Sequence, residues 1–266
     1  MTQPAPISPY HAPLMAVVDQ IYARSPACVP KTLEVCQCPV CMTPETLAEI
    51  ISTPVRALTA AHLSEYRNSA HGVPNNPDDL RAMLPRYLDL IARDQWFDDV
   101  GLGVDLQRFG DGRITHAPLF DPRTDALLNQ WAHLMILHTG WSEAAGQDTD
   151  YSLLHLTEVL IVGGWPCTVI TSALDLVFTG DHGPQALRSF LQPLGTNSIN
   201  YGHFDFWALP RYCTHAIPDL LEWLRSLLAR DLVKSILMDV DPLTDPWARE
   251  LLSRAPTLTV DAFAAR

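Results

Sequence analysis

The sequence predicts an all-α chain, an irregular or solenoid-like stack of short helices with a cysteine-rich coil near its start. Three observations predict it. Apolar residues recur at three- and four-residue spacing in one segment after another. Many of these segments open on a polar capping residue followed by proline. Prolines outnumber glycines, 22 to 13, in a chain that is 47% apolar and 18% charged, which suits many short elements around much buried surface.

Residues 1–13 carry Pro4, Pro6, Pro9 and Pro13 and read as an extended arm. Leu14, Val17, Val18 and Ile21 then have helical spacing, and Ser25-Pro26 ends that helix. Residues 25–43 form the cysteine-rich segment. Thr43-Pro44-Glu45 starts the next helix: Thr caps, Pro takes the first turn, and Glu meets the positive end of the dipole. A further helix is predicted over Thr59 to Ala70, with Leu63 and Tyr66 facing in.

Asn76-Pro77-Asp78-Asp79 opens a wide apolar stripe from Leu80 to Ile91. Pro85 lies within it and should kink or split the helix. Asp98 to Pro118 is glycine-rich and reads as a loop or a short hairpin around Gly110-Asp111-Gly112. Asp121-Pro122 opens a helix through Leu137. Tyr151 to Val162 is apolar nearly all round and belongs in the core.

Pro166 and Gly183-Pro184 start two more helices. Gly195 to Pro210 is aromatic and aperiodic. Ile217-Pro218-Asp219 begins the longest apolar pattern, running to Leu237, and Asp245-Pro246 starts the last helix. With no composition break, residues 1–266 read as one all-α domain of about ten helices.

The chemically special residues concentrate in Cys28 to Cys41. Cys38-Pro39-Val40-Cys41 is a Cys-x2-Cys hook, whose geometry lets two thiolates reach one tetrahedral ion. Cys36 and Cys28 complete a four-ligand set for structural zinc, with His11, His62 or His71 as substitutes. A redox dithiol and plain reduced thiols are the other readings. A thioredoxin-like reading needs the motif at a helix start in a βαβ unit, and this context is coil.

Elsewhere the signals are thinner. His155 and Glu158 share a helix face, where a buried hydrogen-bonded pair is the ordinary outcome. His133 is a further polar group on a helix. Tyr201 to Trp207, with His203 and Asp205, could line a pocket. Asp239 to Asp245 lacks the turn glycine of a calcium loop. Gly101-Leu102-Gly103 lacks the third glycine of a dinucleotide fingerprint, and no Walker, His-Glu-x2-His or Gly-x-Ser-x-Gly motif is present.

A formal charge of −12 without a basic run disfavours nucleic acid. The longest apolar run, Val159 to Ile170, is too short and too broken to span a membrane. Met1 to Pro13 has neither the basic nor the apolar region of a secretory signal, so a cytoplasmic protein with reduced thiols is expected.

Thr53-Pro54-Val55-Arg56-Ala57-Leu58, Leu63-x2-Tyr66-x3-Ala70, Asp78-Asp79-Leu80-Arg81 and Leu84-Pro85-Arg86-Tyr87-Leu88-Asp89-Leu90 follow the cysteine pair. Together they resemble a set of uncharacterised bacterial proteins with a Cys-x2-Cys … TPLR-L … LPR-LEL pattern. The resemblance covers about a fifth of the chain and brings no activity with it. It implies a bacterial cytosolic origin, and that the cysteine region and the Leu84-Pro85-Arg86 stretch form one unit. The expected function is a non-enzymatic interaction protein, of an immunity or antitoxin kind, that binds another protein and carries a structural zinc-type cluster. The alternative is an enzyme with a site near His133, His155, Glu158 or Tyr201–Trp207.

Overall fold

Twelve α-helices and two single turns of 3-10 helix make up the regular structure among the described residues of the computed structural model, and no strand occurs there. Those residues are 7–38, 40–70, 74–95, 106–147, 152–201, 213–239 and 245–254. The helices are α1 (His11–Arg24), α2 (Pro44–Ser52), α3 (Ala60–Ala70), α4 (Pro77–Ala92), α5 (Gln107–Thr115) and α6 (Pro122–Ala144). There follow α7 (Leu153–Val162), α8 (Cys167–Thr179), α9 (Gly183–Tyr201), α10 (Ile217–Ala229), α11 (Asp231–Met238) and α12 (Trp247–Arg254). The chain is all-α, as its periodicity predicts.

The polar-residue-then-proline starts work as capping chemistry. The Thr43 side chain accepts from the Thr46 N–H and Asn76 from the Asp78 N–H. Asp121 accepts from the N–H groups of Arg123 and Thr124. Each cap satisfies donors that the first helical turn leaves without partners. Ser152 caps α7, and the Leu153 N–H donates to the Glu143 carboxylate 2.6 Å away on α6.

The long helix α6 is the hub and packs chiefly against α8 and α1. Trp131 of α6 is fully buried, with its ring 5.8 Å from that of Trp165. Trp165 donates its indole N–H to the Leu128 carbonyl at 2.9 Å, so a large apolar ring is buried with its one donor satisfied. At the other end, α9 carries α12. One cluster of buried apolar side chains runs from Leu14 to Leu251.

Buried charge ties α1 to α4. Asp89 accepts from Arg86 at 2.6 Å, from Arg93 at 2.7 Å and from the Tyr22 hydroxyl at 3.1 Å. Arg86 also donates to the Leu58 carbonyl, which fastens the turn before α3 to the same point. A buried carboxylate with three donors is an affordable arrangement; one with none would not be.

Four expectations are corrected and one, at Pro85, is narrowed. The arm over 1–13 stops short, because α1 begins at His11 with Pro13 inside its first turn. A proline there is harmless, since first-turn N–H groups have no helical partner. The loop expected around Gly110-Asp111-Gly112 is instead α5. A Cβ on Gly110 would lie 2.0 Å from the Val162 carbonyl oxygen, so the glycine serves close backbone packing rather than a turn.

The segment from Gly195 is not aperiodic throughout, since α9 continues through Pro193 and Gly195 to Tyr201. A Cβ on Gly195 would stand 2.6 Å from the Trp247 carbonyl oxygen, which explains a glycine inside that helix. Pro85 does not split α4, which runs unbroken from Pro77 to Ala92 with Pro85 buried in the core. Finally, the long pattern after Ile217 divides at the extended residue Arg230 into α10 and α11.

Candidate metal centre

The cysteine coil is held down by apolar anchors at intervals. Val29, Leu33, Val35 and Met42 are all buried, while Val40 at the tip is 93% exposed. The backbone is pinned from two helices. At the end of α3, Ser69 is fully buried; its carbonyl accepts from the Cys36 N–H at 2.7 Å and its hydroxyl donates to the Cys41 carbonyl at 2.5 Å. At the start of α4, Asp79 accepts from the Glu34 N–H at 2.8 Å. The hook closes on itself, with the N–H groups of Cys41 and Met42 both donating to the Cys38 carbonyl.

This backbone brings three sulfurs together. The Sγ atoms of Cys36, Cys38 and Cys41 all lie within 4.8 Å of one another. Zinc–sulfur bonds of about 2.3 Å at a tetrahedral centre separate the sulfurs by about 3.8 Å, so a contraction of no more than about 1 Å would seat an ion. Cys28 is not in the group. It is exposed, and its backbone pairs with Pro54 in an isolated antiparallel bridge.

The sulfurs share their protons unevenly. The Cys41 thiol donates to Cys38, and the Val40 N–H also supports the Cys38 thiolate, which lowers the Cys38 pKa to about 7. Holding that proton between Cys38 and Cys36 pushes Cys41 up to about 12. Cys38 therefore supplies a thiolate near neutrality, and an incoming cation must displace the proton on Cys41.

Two of the substitute ligands fall elsewhere. His62 faces Glu49 at 3.3 Å and accepts from the Thr59 N–H. His11 lies against His138, ring centroids 5.5 Å apart. His71 lies outside the described residues. Among the described residues, Cys36, Cys38 and Cys41 form the one group of three or more potential metal ligands.

The enzymatic candidates do not converge into a second such group. His133 is half-buried on α6. His155 is half-buried on α7, and desolvation drops its pKa to about 4, so it is neutral at ordinary pH. Glu158 is buried one turn further on. Tyr201 closes α9, whereas residues 202–207 lie outside the described residues, as do 240–244 of the aspartate-rich stretch and 101–103 of the glycine pair.

Sequence reasoning missed three features. Asp79 reads as an ordinary first-turn acid, yet it is fully buried and clamps the cysteine coil. Burial raises its pKa to about 6. The second feature is a cavity of about 190 Å³ lined by His11 of α1, Arg93 and Asp94 just past α4, and His138, Thr139 and Ser142 of α6. The third is Cys213, whose sulfur lies 3.5 Å from His215 Nε2 and donates to the Ile161 carbonyl. Burial raises the Cys213 pKa. Only the neighbouring spacing of Cys213 and His215 carried any local signal.

Comparison with protein-family models, curated proteins and solved structures gives no match to this chain. No helix among the described residues is long and apolar enough to cross a membrane.

Proposed function

We propose that the chain is a non-enzymatic cytoplasmic interaction protein whose N-terminal coil is braced by one zinc ion on Cys36, Cys38 and Cys41. One observation carries the metal reading: three cysteine sulfurs within 4.8 Å of one another on a backbone pinned by Ser69 and Asp79. Thiolates are soft donors and suit zinc among the common divalent ions. The interaction reading draws on the formal charge of −12, which favours a basic protein partner of the kind an immunity protein or antitoxin neutralises.

The test is elemental analysis of chain purified under reducing conditions without added metal. Near one zinc per chain is expected, falling to background in Cys38→Ser and unchanged in Cys28→Ser. Zinc well below one per chain that Cys38→Ser leaves unaltered would sink the reading.

A further inference from the structure

We propose that Cys38 and Cys41 are a modification site for a small hydroperoxide, which joins them in a disulfide and so discharges the metal. The discharge rests on the metal-binding reading above; the bridge does not.

Backbone geometry selects the pair. The Cys41 N–H donates to the Cys38 carbonyl at 3.0 Å. That hydrogen bond closes a four-residue turn, which sets the two Cα atoms within about 7 Å of each other. Disulfides span Cα separations of about 4.4–6.8 Å. The two sulfurs already lie within 4.8 Å of one another, so side-chain rotation closes the bond with the turn in place. The clamps survive it, because Ser69 holds the coil through the Cys36 N–H and the Cys41 carbonyl rather than through sulfur.

Exposure selects the sulfur that reacts first. Cys38 is exposed, whereas Cys36 and Cys41 are half-buried. Val40 beside it is 93% exposed, so the tip of the coil is open to a small oxidant. Cys28 is exposed too but stands outside this group of sulfurs. A bridge from Cys36 to Cys38 would close over one residue, a smaller ring that distorts disulfide geometry more.

The two sulfurs together give up two electrons. The Cys38 thiolate attacks the outer peroxide oxygen and the O–O bond breaks. The departing alkoxide takes the proton that Cys38 released and leaves as an alcohol, with Cys38 now a sulfenic acid. The Cys41 sulfur then attacks the Cys38 sulfur, the S–O bond breaks, and hydroxide leaves as water with the Cys41 proton. Two thiols and one hydroperoxide thus give one disulfide, one alcohol and one water. In the loaded chain both sulfurs start as thiolates and solvent supplies the two protons. Of the three sulfur donors only Cys36 then remains a thiolate, so the ion leaves.

The experiment uses the full chain, reduced, given one equivalent of zinc and freed of reductant, with hydrogen peroxide as the probe. Peptide mapping after alkylation should show a Cys38–Cys41 bridge. One zinc per bridge should pass to a chromogenic chelator, and dithiothreitol should restore both thiols. Cys36→Ser should still form the bridge. Cys41→Ser should lose it and leave a Cys38 sulfenic acid that dimedone traps. A bridge that uses Cys36, or Cys38 and Cys41 thiols that survive excess peroxide, would overturn the inference and leave the metal reading to the zinc content of the reduced chain. Zinc retained beside a Cys38–Cys41 bridge would overturn the inference as well. A bridge formed in a chain that takes up no zinc would uphold the dithiol site and sink the metal reading.

Discussion

Replacing Asp79 by Asn isolates the cost of a buried charge. Asp79 is fully buried at the start of α4, and burial raises its carboxyl pKa from the ordinary 3.8 to about 6. The Glu34 N–H opposes this rise by hydrogen bonding and Arg108 opposes it by its charge, but neither cancels the desolvation. A carboxyl with a folded pKa above its unfolded one binds its proton more tightly in the native chain. Stability therefore falls as pH climbs from about 4 to about 6, and the penalty is fully present above that window. At roughly 1.4 kcal/mol per tenfold change in proton affinity, it amounts to about 3 kcal/mol at neutral pH.

Asn keeps a carbonyl oxygen for the Glu34 N–H and cannot ionise. Urea unfolding of both proteins should give nearly equal stabilities at about pH 4. The variant should pull ahead by up to about 3 kcal/mol at about pH 7. A difference between the two that does not change with pH would refute the reasoning, because only the ionisation of Asp79 supplies a pH-dependent gap.

Two further outcomes follow from packing. Gly110→Ala would set a Cβ 2.0 Å from the Val162 carbonyl oxygen, so α5 must retreat by roughly 1 Å and the chain should lose about 3 kcal/mol, read as a lower midpoint in thermal unfolding. Ser69→Ala removes the hydroxyl that holds the Cys41 carbonyl. It should cost about 1 kcal/mol, lowering zinc affinity roughly fivefold in chelator competition if that cost falls on the bound form.

The elements readable in the sequence were those announced by local chemistry. Thr43, Asn76 and Asp121 each precede a proline, and each caps the helix expected of it. The unreadable ones depend on a distant partner. Gly110 looks like a turn residue until the Val162 carbonyl is beside it, and Gly195 until Trp247 is. Pro13 looks like part of an arm because a first-turn proline leaves no mark distinguishing it from an extended one. In the candidate site, the Cys-x2-Cys spacing gave Cys38 and Cys41, and Cys36 followed from its nearness in sequence. Cys28 is too far along the coil, and its neighbour is Pro54. Nothing local pairs Asp79 with Glu34 across 45 positions.

The three sulfur donors fall within six consecutive residues, whereas their backbone clamps come from Ser69 and Asp79. An unfolded chain thus keeps its donors close together, so the proposed ion would meet part of its ligand set before any helix forms. Metal that grips both states stabilises folding only by the difference between the two grips. Residues 36–41 also leave the ribosome before the residues that pin them. Should the proposed ion load at that stage, it would precede the clamps from α3 and α4 rather than follow them.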